Sequence, residues 1–211
     1  MTTGREVLNG NPAHPEMIKG KMIAAHLSWL RERLSPAAPS SAALEPFWKL
    51  VPEATRERLM DRVDPAAWYP FADVVAVDRA IVMVTGDGPA VLAALGRHVA
   101  EKNIPMYAIE GDAPRFLALH AVLHSSYLNF GKASYRPQAN GGRYEITGYT
   151  AYSPIFCASA PAFFHRVIER FGYTGIEVRE TECHCREGNR CVLEFRWQGS
   201  PAATAIRVQG A

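Results

Sequence analysis

Apolar residues recur at helical spacing through the first half of the chain and alternate in much of the second. Ile23, Leu27, Leu30 and Leu34 form one stripe, which predicts that 18–34 enters through a short extended piece around Lys19-Gly20 and then becomes helical. The Pro- and Ser-rich run 35–41 reads as a linker. Two short helices are expected over 44–51 and 53–63, interrupted at Pro52, and Asp64-Pro65 opens a turn. Residues 70–85 are apolar enough for a buried helix, with Trp68, Tyr69 and Phe71 as a hydrophobic plug at its start. Asp87-Gly88-Pro89 caps a further helix through Lys102, and Asp112-Ala113-Pro114 starts one that runs to about Phe130.

The period then changes. Strands are predicted over 132–138 and 143–151, joined at Asn140-Gly141-Gly142. A helix follows whose firm part is 162–171, with Phe163, Phe164, Val167, Ile168 and Phe171 facing the core and Gly172 as its stop. Runs 175–185 and 191–197 close the chain as a hairpin. Helices in front and strands behind, with no internal repeat, predict a single α+β domain with a mainly antiparallel sheet packed with helices. Its expected limits are 17–197, between a flexible leader (1–16) and a flexible tail (198–211).

Length and composition fit that picture without sharpening it. At 211 residues one well-buried core suffices, and 48% hydrophobic with 21% charged residues is ordinary for a globular protein. A net charge of +2 gives no electrostatic case for nucleic acid or an anionic membrane as partner. The first twenty residues lack the apolar core of a signal peptide, and no run approaches a membrane span. The expectation is a cytoplasmic protein with reduced cysteines.

That makes the cysteine distribution informative. Three of the four fall between Cys183 and Cys191, separated by Arg186-Glu187-Gly188-Asn189-Arg190, and the fourth is Cys157, expected just before a helix. If the hairpin turns near residue 187, Cys183 lies opposite Cys191 with Cys185 beside them on the same face. Clustered soft ligands in a reducing compartment point to a metal, and four donors would close a tetrahedral zinc site. A reduced, metal-free cluster is the main alternative, and a Cys183–Cys191 disulfide in an oxidised sample the minor one.

Three segments carry a resemblance: Ser153-Pro154-Ile155-Phe156-Cys157, Glu180-Thr181-Glu182-Cys183 and Gly188-Asn189-Arg190-Cys191. Together they resemble the 4-vinyl reductase domain family, which includes the sensor domains of phenol-responsive transcriptional activators, over roughly residues 112–197. The resemblance implies a structural zinc held by Cys157, Glu180, Cys183 and Cys191, and a homodimer. Strict alternation, however, puts Glu180 and His184 on the face opposite Cys183 and Cys191. Glu180 can join the others only if a bulge shifts the register between 180 and 183; otherwise Cys185 or His184 completes the set. In front, Lys19-Gly20 with its helix and Trp68-Tyr69-Pro70-Phe71 resemble an uncharacterised paralogous family abundant in myxobacteria, which implies no activity. The 4-vinyl reductase domains share a fold with haem-based nitric-oxide sensors and vesicle-tethering subunits, so a hydrophobic cavity or a docking surface is the implied theme.

His120 and His124 stand at i, i+4 on one predicted helix. Leu123-His124-Ser125 resembles the segment of the phenol sensors whose histidine holds the phenolic hydroxyl. Tyr127 and Tyr149 could wall a planar ligand beside His124. The competing reading is that Phe116, Leu119, Leu123 and Tyr127 are core and the histidine is simply packed among them. A cysteine protease built on Cys157 with a histidine elsewhere would leave the other three cysteines unexplained, and no Rossmann fingerprint or flavin motif is present, so no catalytic residues are assigned. The sequence therefore points to a non-catalytic sensor-type domain for a small hydrophobic or aromatic molecule, signalling through a partner protein. The alternatives are a protein-interaction module with no cavity, or an accessory factor of tetrapyrrole metabolism.

Overall fold

In the computed structural model, which describes residues 15–34, 41–88, 90–103, 112–186 and 188–199, the chain enters through β1 (Met17–Lys19). This strand pairs antiparallel with β2 (Trp68–Pro70), Ile18 opposite Tyr69. Helix α1 (Gly20–Leu34) begins without a linker. A Cβ on Gly20 would lie 2.1 Å from the Asp64 carbonyl oxygen, so the two segments can cross this closely only with glycine here. Ile23, Leu27 and Leu30 are buried as the stripe requires, and His26 is buried beside them.

Helices α2 (Glu45–Trp48) and α3 (Glu53–Leu59) are shorter than predicted. They supply buried Phe47 and Leu59, and Leu50 and Met60, just past their ends, are exposed. Trp68 to Pro70 form a strand instead of a plug. Trp68 is part-exposed beneath the Lys19 ammonium, 4.2 Å from the ring centroid, while Phe71 starts α4 (Phe71–Thr85) fully inside. Helix α4 ends at Gly86, whose φ of 69° lets its N–H reach the Val82 carbonyl. Helix α5 (Ala90–Asn103) follows.

Helix α6 (Ala113–Val122) is capped by the Asp112 carboxylate, which accepts from the Arg115 N–H at 2.9 Å. It stops at Val122 and passes through one 3₁₀ turn, Leu123–Ser126, well short of Phe130. The cause lies far away in sequence. The Tyr127 carbonyl accepts from Lys19 N–H, Asn129 N–H donates to the Met17 carbonyl, and the Asn129 side chain accepts from Met17 N–H. These bonds hold 127–129 against β1, with Leu128 bridged to Ile18.

Strands β3 (Lys132–Gln138), β4 (Gly141–Thr147), β5 (Thr174–Glu182) and β6 (Arg190–Gln198) form an antiparallel sheet ordered β3-β4-β6-β5. The first hairpin pairs Gln138 with Gly141, so its loop is Ala139-Asn140 and the two glycines belong to β4. β4 ends at Thr147, not at 151, because Gly148 turns the chain at φ 66°. Helix α7 (Pro154–Arg170) starts eight residues before the predicted firm part, with Pro154 at its first position. Cys157 therefore lies inside its first turn rather than ahead of it. Pro161 sits within the helix and removes the N–H that would bond the Cys157 carbonyl.

Among the described residues the interior has three parts. One core joins α1, α4 and α5 with Leu128 and Phe130. A second lies between the sheet and α6 and α7, built on Phe116, Tyr144, Phe164, Ile168 and Phe195. The four cysteines make the third. Phe163 packs against both larger cores. The architecture is α+β, as the sequence predicts. Of the predicted leader, linker and tail, residues 1–14, 35–40 and 200–211 lie outside the described residues.

Candidate functional site

Alternation along β6 puts Cys191, Leu193, Phe195 and Trp197 on its buried face. On β5, Val178 pairs with Phe195 and Glu180 with Leu193, but Glu182 pairs with Val192, the very next residue of β6. One residue, Thr181, is therefore extra on β5, which is a β-bulge. It returns Cys183 to the face that Glu180 already occupies. Helix α7 brings Cys157 against them, and one donor atom from each of Cys157, Glu180, Cys183 and Cys191 lies within 4.8 Å of the other three.

Those residue types and spacings suit zinc. Tetrahedral bonds of ~2.3 Å put ligand sulfurs about 3.8 Å apart, so closure onto an ion needs only small side-chain movements. All four cysteines are free thiols and buried, and no pair forms a disulfide. Cys185 is close, its Sγ 3.9 Å from that of Cys157, on the 3₁₀ turn His184–Arg186. The His184 ring stacks on Tyr152 with centroids 4.3 Å apart, and its contribution to the cluster is a backbone N–H donated to Cys191 Sγ at 3.4 Å. Arg186 donates to the Glu180 carboxylate, and the Arg186 and Gly188 N–H groups both donate to the Cys183 carbonyl. These bonds fold the turn over the cluster.

The electrostatics follow from crowding. Hydrogen bonds from the other three thiols hold Cys183 well below the usual thiol range, and the same bond to Cys183 helps hold Cys157 well above it. Burial and the neighbouring Cys183 push Glu180 up to about 7, against the pull of Arg186.

Next to this cluster is a cavity of about 120 Å³ between the two large cores. His124, Tyr127 and Tyr149 line it, as do His26, His120 and Tyr144. His124 and the two tyrosines were predicted together; the structure adds α1, α5 and α7 to the expected walls of helix and hairpin. His124 is also one of three histidines here rather than the main polar group. Its Nε2–H donates to the Phe130 carbonyl at 3.3 Å, and its ring stacks on Tyr149 with centroids 5.9 Å apart. His120 Nδ1 bonds the Tyr144 hydroxyl at 2.9 Å. Burial, with smaller contributions from His124 and Lys21, pushes His120 from 6.5 down to about 3. His124 is lowered as well, by burial. The Lys21 ammonium lies over the Tyr127 ring, 3.6 Å from its centroid.

Cavity and cysteine cluster share a wall. Phe156 lines the cavity and Cys157 follows it on α7; Ile146 lines it too, packs against the cysteines and pairs across the sheet with Cys191. Tyr149 is close enough to the cysteines that they help burial push its hydroxyl well above the ordinary phenol range. Sequence reasoning missed His26 and Tyr144. For His26 a signal existed, because it falls on the apolar stripe between Ile23 and Leu30.

The sequence matches no protein-family model, and no curated protein matches it. Among solved structures the fold recurs in H-NOX proteins. One from S. oneidensis in the Fe(II)NO ligation state gives a TM-score of 0.61 at 15% identity, covering 86% of this chain and 100% of that one. An oxygen-binding H-NOX domain related to soluble guanylate cyclases gives 0.61 at 14%, covering 89% and 99%. A structure described under modulation of haem redox potential by protein-induced porphyrin distortion gives 0.58 at 14%, covering 85% and 99%. At such identity the likeness is one of fold.

Proposed function

We propose that this chain is a non-catalytic ligand-binding domain of sensor type, taking a small, largely apolar molecule of about one aromatic ring. The cavity between the two cores is the observation that carries the reading. An engineered cavity of about 150 Å³ binds benzene, so about 120 Å³ suits a single ring. His124 would orient the ligand, since its Nε2 is committed to Phe130 and its Nδ1 remains for a hydrogen bond.

The fold likeness to H-NOX proteins raises haem as a ligand. The cavity does not fit it, because a porphyrin is several times larger than the single ring that roughly 150 Å³ accommodates. The same argument weighs against a role in tetrapyrrole metabolism. An interaction module with a sealed interior is disfavoured by the void itself.

Cys157, Glu180, Cys183 and Cys191 would hold a structural zinc, in keeping with the resemblance to 4-vinyl reductase domains. With four protein ligands, such an ion cross-links the end of the β5–β6 hairpin to α7 and offers no open position for water. Because Phe156 and Ile146 belong to the shared wall, that cross-link would stiffen one side of the cavity. We place signal output in a partner protein and expect a homodimer.

The test is native mass spectrometry with elemental analysis, followed by thermal shifts across phenols, fatty acids and protoporphyrin. One zinc per chain and a shift with single-ring phenols are expected, with none for protoporphyrin. His124→Ala should weaken phenol binding and leave zinc content unchanged. No shift with any compound would put the interaction-module reading ahead.

A further inference from the structure

His26 and Asp78 form a buried pair between α1 and α4, Nδ1 to Oδ1 at 2.6 Å, with side chains 2% and 1% exposed. Their neighbours along these helices, Ile23, Leu27, Val74 and Ile81, are all buried and apolar. Such a pair is a poor stabiliser, since replacing buried ion pairs with apolar residues of similar volume is often neutral or favourable. His26 also lines the cavity. A carboxylate only accepts, so Nδ1 supplies the proton of the 2.6 Å bond. Any hydrogen bond from His26 to a molecule in the cavity is therefore made through Nε2. His124, on another wall, has only Nδ1 left for the same purpose.

We propose that His26, oriented by Asp78, is a second polar anchor of the cavity, and that the ligand is a single aromatic ring bearing two hydroxyl groups. This rests on the cavity reading above and sharpens it from one hydrogen bond to two. A hydroxyl suits His26 in either charge state, because it both donates and accepts. Asp78 touches no ligand; it is a positioning residue that fixes which imidazole nitrogen is available.

The experiment is calorimetric titration of the full chain with phenol and with the three dihydroxybenzenes. One dihydroxy isomer should bind about tenfold more tightly than phenol, the worth of one good added hydrogen bond in a buried site. His26→Leu alone leaves Asp78 buried without its partner and destabilises the chain, so the decisive variant is the double H26L/D78L. It should stay folded and lose the preference for the second hydroxyl, so that phenol and the three dihydroxybenzenes bind within about twofold of one another. Asp78→Asn should reduce that preference without abolishing phenol binding. If phenol binds and no isomer exceeds it, or the preference survives in the double variant, His26 is a structural staple and the inference fails while the cavity reading stands. If no ring binds at all, both fail.

Discussion

Glu180 and Cys183 face the same side of the sheet although they stand three positions apart in sequence. Even spacing would be needed on a regular strand, and the unpaired Thr181 supplies the missing shift of one. The bulge is thus what allows a carboxylate from β5 to meet three thiols contributed by α7, the hairpin turn and β6.

Deleting Thr181 leaves Glu180 and Cys183 two positions apart, so a regular strand keeps them on one face without the bulge. Zinc content after dialysis against a weak chelator should stay near one per chain, whereas Glu180→Ala, which removes the donor itself, should lower it. Zinc loss in the deletion as large as in Glu180→Ala would show that the bulge does more than correct the spacing.

The cysteines themselves should separate. Cys157→Ser, Cys183→Ser and Cys191→Ser each remove a donor from the four-residue set, whereas Cys185→Ser leaves that set complete. In zinc-loaded protein the first three should lower the denaturation midpoint strongly. Cys185→Ser should cost about 1 kcal/mol, as expected for a modest change at one buried site. Urea titration of all four, with zinc measured in parallel, checks this; equal losses would mean that Cys185 shares the metal.

The donors were legible because types and spacings survive without coordinates: Cys157, Cys183 and Cys191 need only a helix and a hairpin to meet. Glu180 was legible only as a condition, since alternation cannot say where a strand bulges. The early end of α6 was not legible at all. It is set by backbone bonds from 127–129 to β1, more than a hundred residues earlier. His26 and Asp78 were hidden for a different reason. Each sits in an apolar helix whose pattern predicts burial, and burial alone does not reveal that two such helices place an acid against a base. Helix α7 runs eight residues ahead of its predicted firm part and carries Pro161 inside it, a residue that apolar periodicity alone does not place within a helix.

His120 should give the protein an acid-sensitive stability. Its pKa falls from 6.5 to about 3 on folding, so between those values the unfolded chain binds the extra proton. Stability is therefore unaffected above about pH 6.5 and declines as pH drops from there toward 3, by about 1.4 kcal/mol per unit in the middle of the window. His120→Phe loses the bond to Tyr144 at every pH, yet its denaturation free energy should fall less steeply with acid. Urea midpoints from pH 7 to pH 4 for both proteins measure the two slopes, and parallel slopes would show that His120 is not held neutral.

Two glycines should respond to alanine for opposite reasons. Gly86 has a φ of 69° with nothing within 4 Å of a new Cβ, so its cost is conformational, about 1 kcal/mol for a left-handed residue. Gly96 has no positive φ, but a Cβ there would lie 2.2 Å from the Ser159 carbonyl oxygen and 3.1 Å from the Phe163 nitrogen. Backbone cannot move aside as a side-chain tip can, so α5 and α7 would have to separate. Overpacking of this kind costs roughly 1–3 kcal/mol or more. Gly96 also lines the cavity, as do Ser159 and Phe163. Gly96→Ala should consequently lower both the thermal midpoint and the affinity for phenol, whereas Gly86→Ala should lower only the midpoint. Differential scanning fluorimetry with and without phenol separates the two, and a ligand-induced shift unchanged in Gly96→Ala would mean that the approach of α5 to α7 does not shape the cavity.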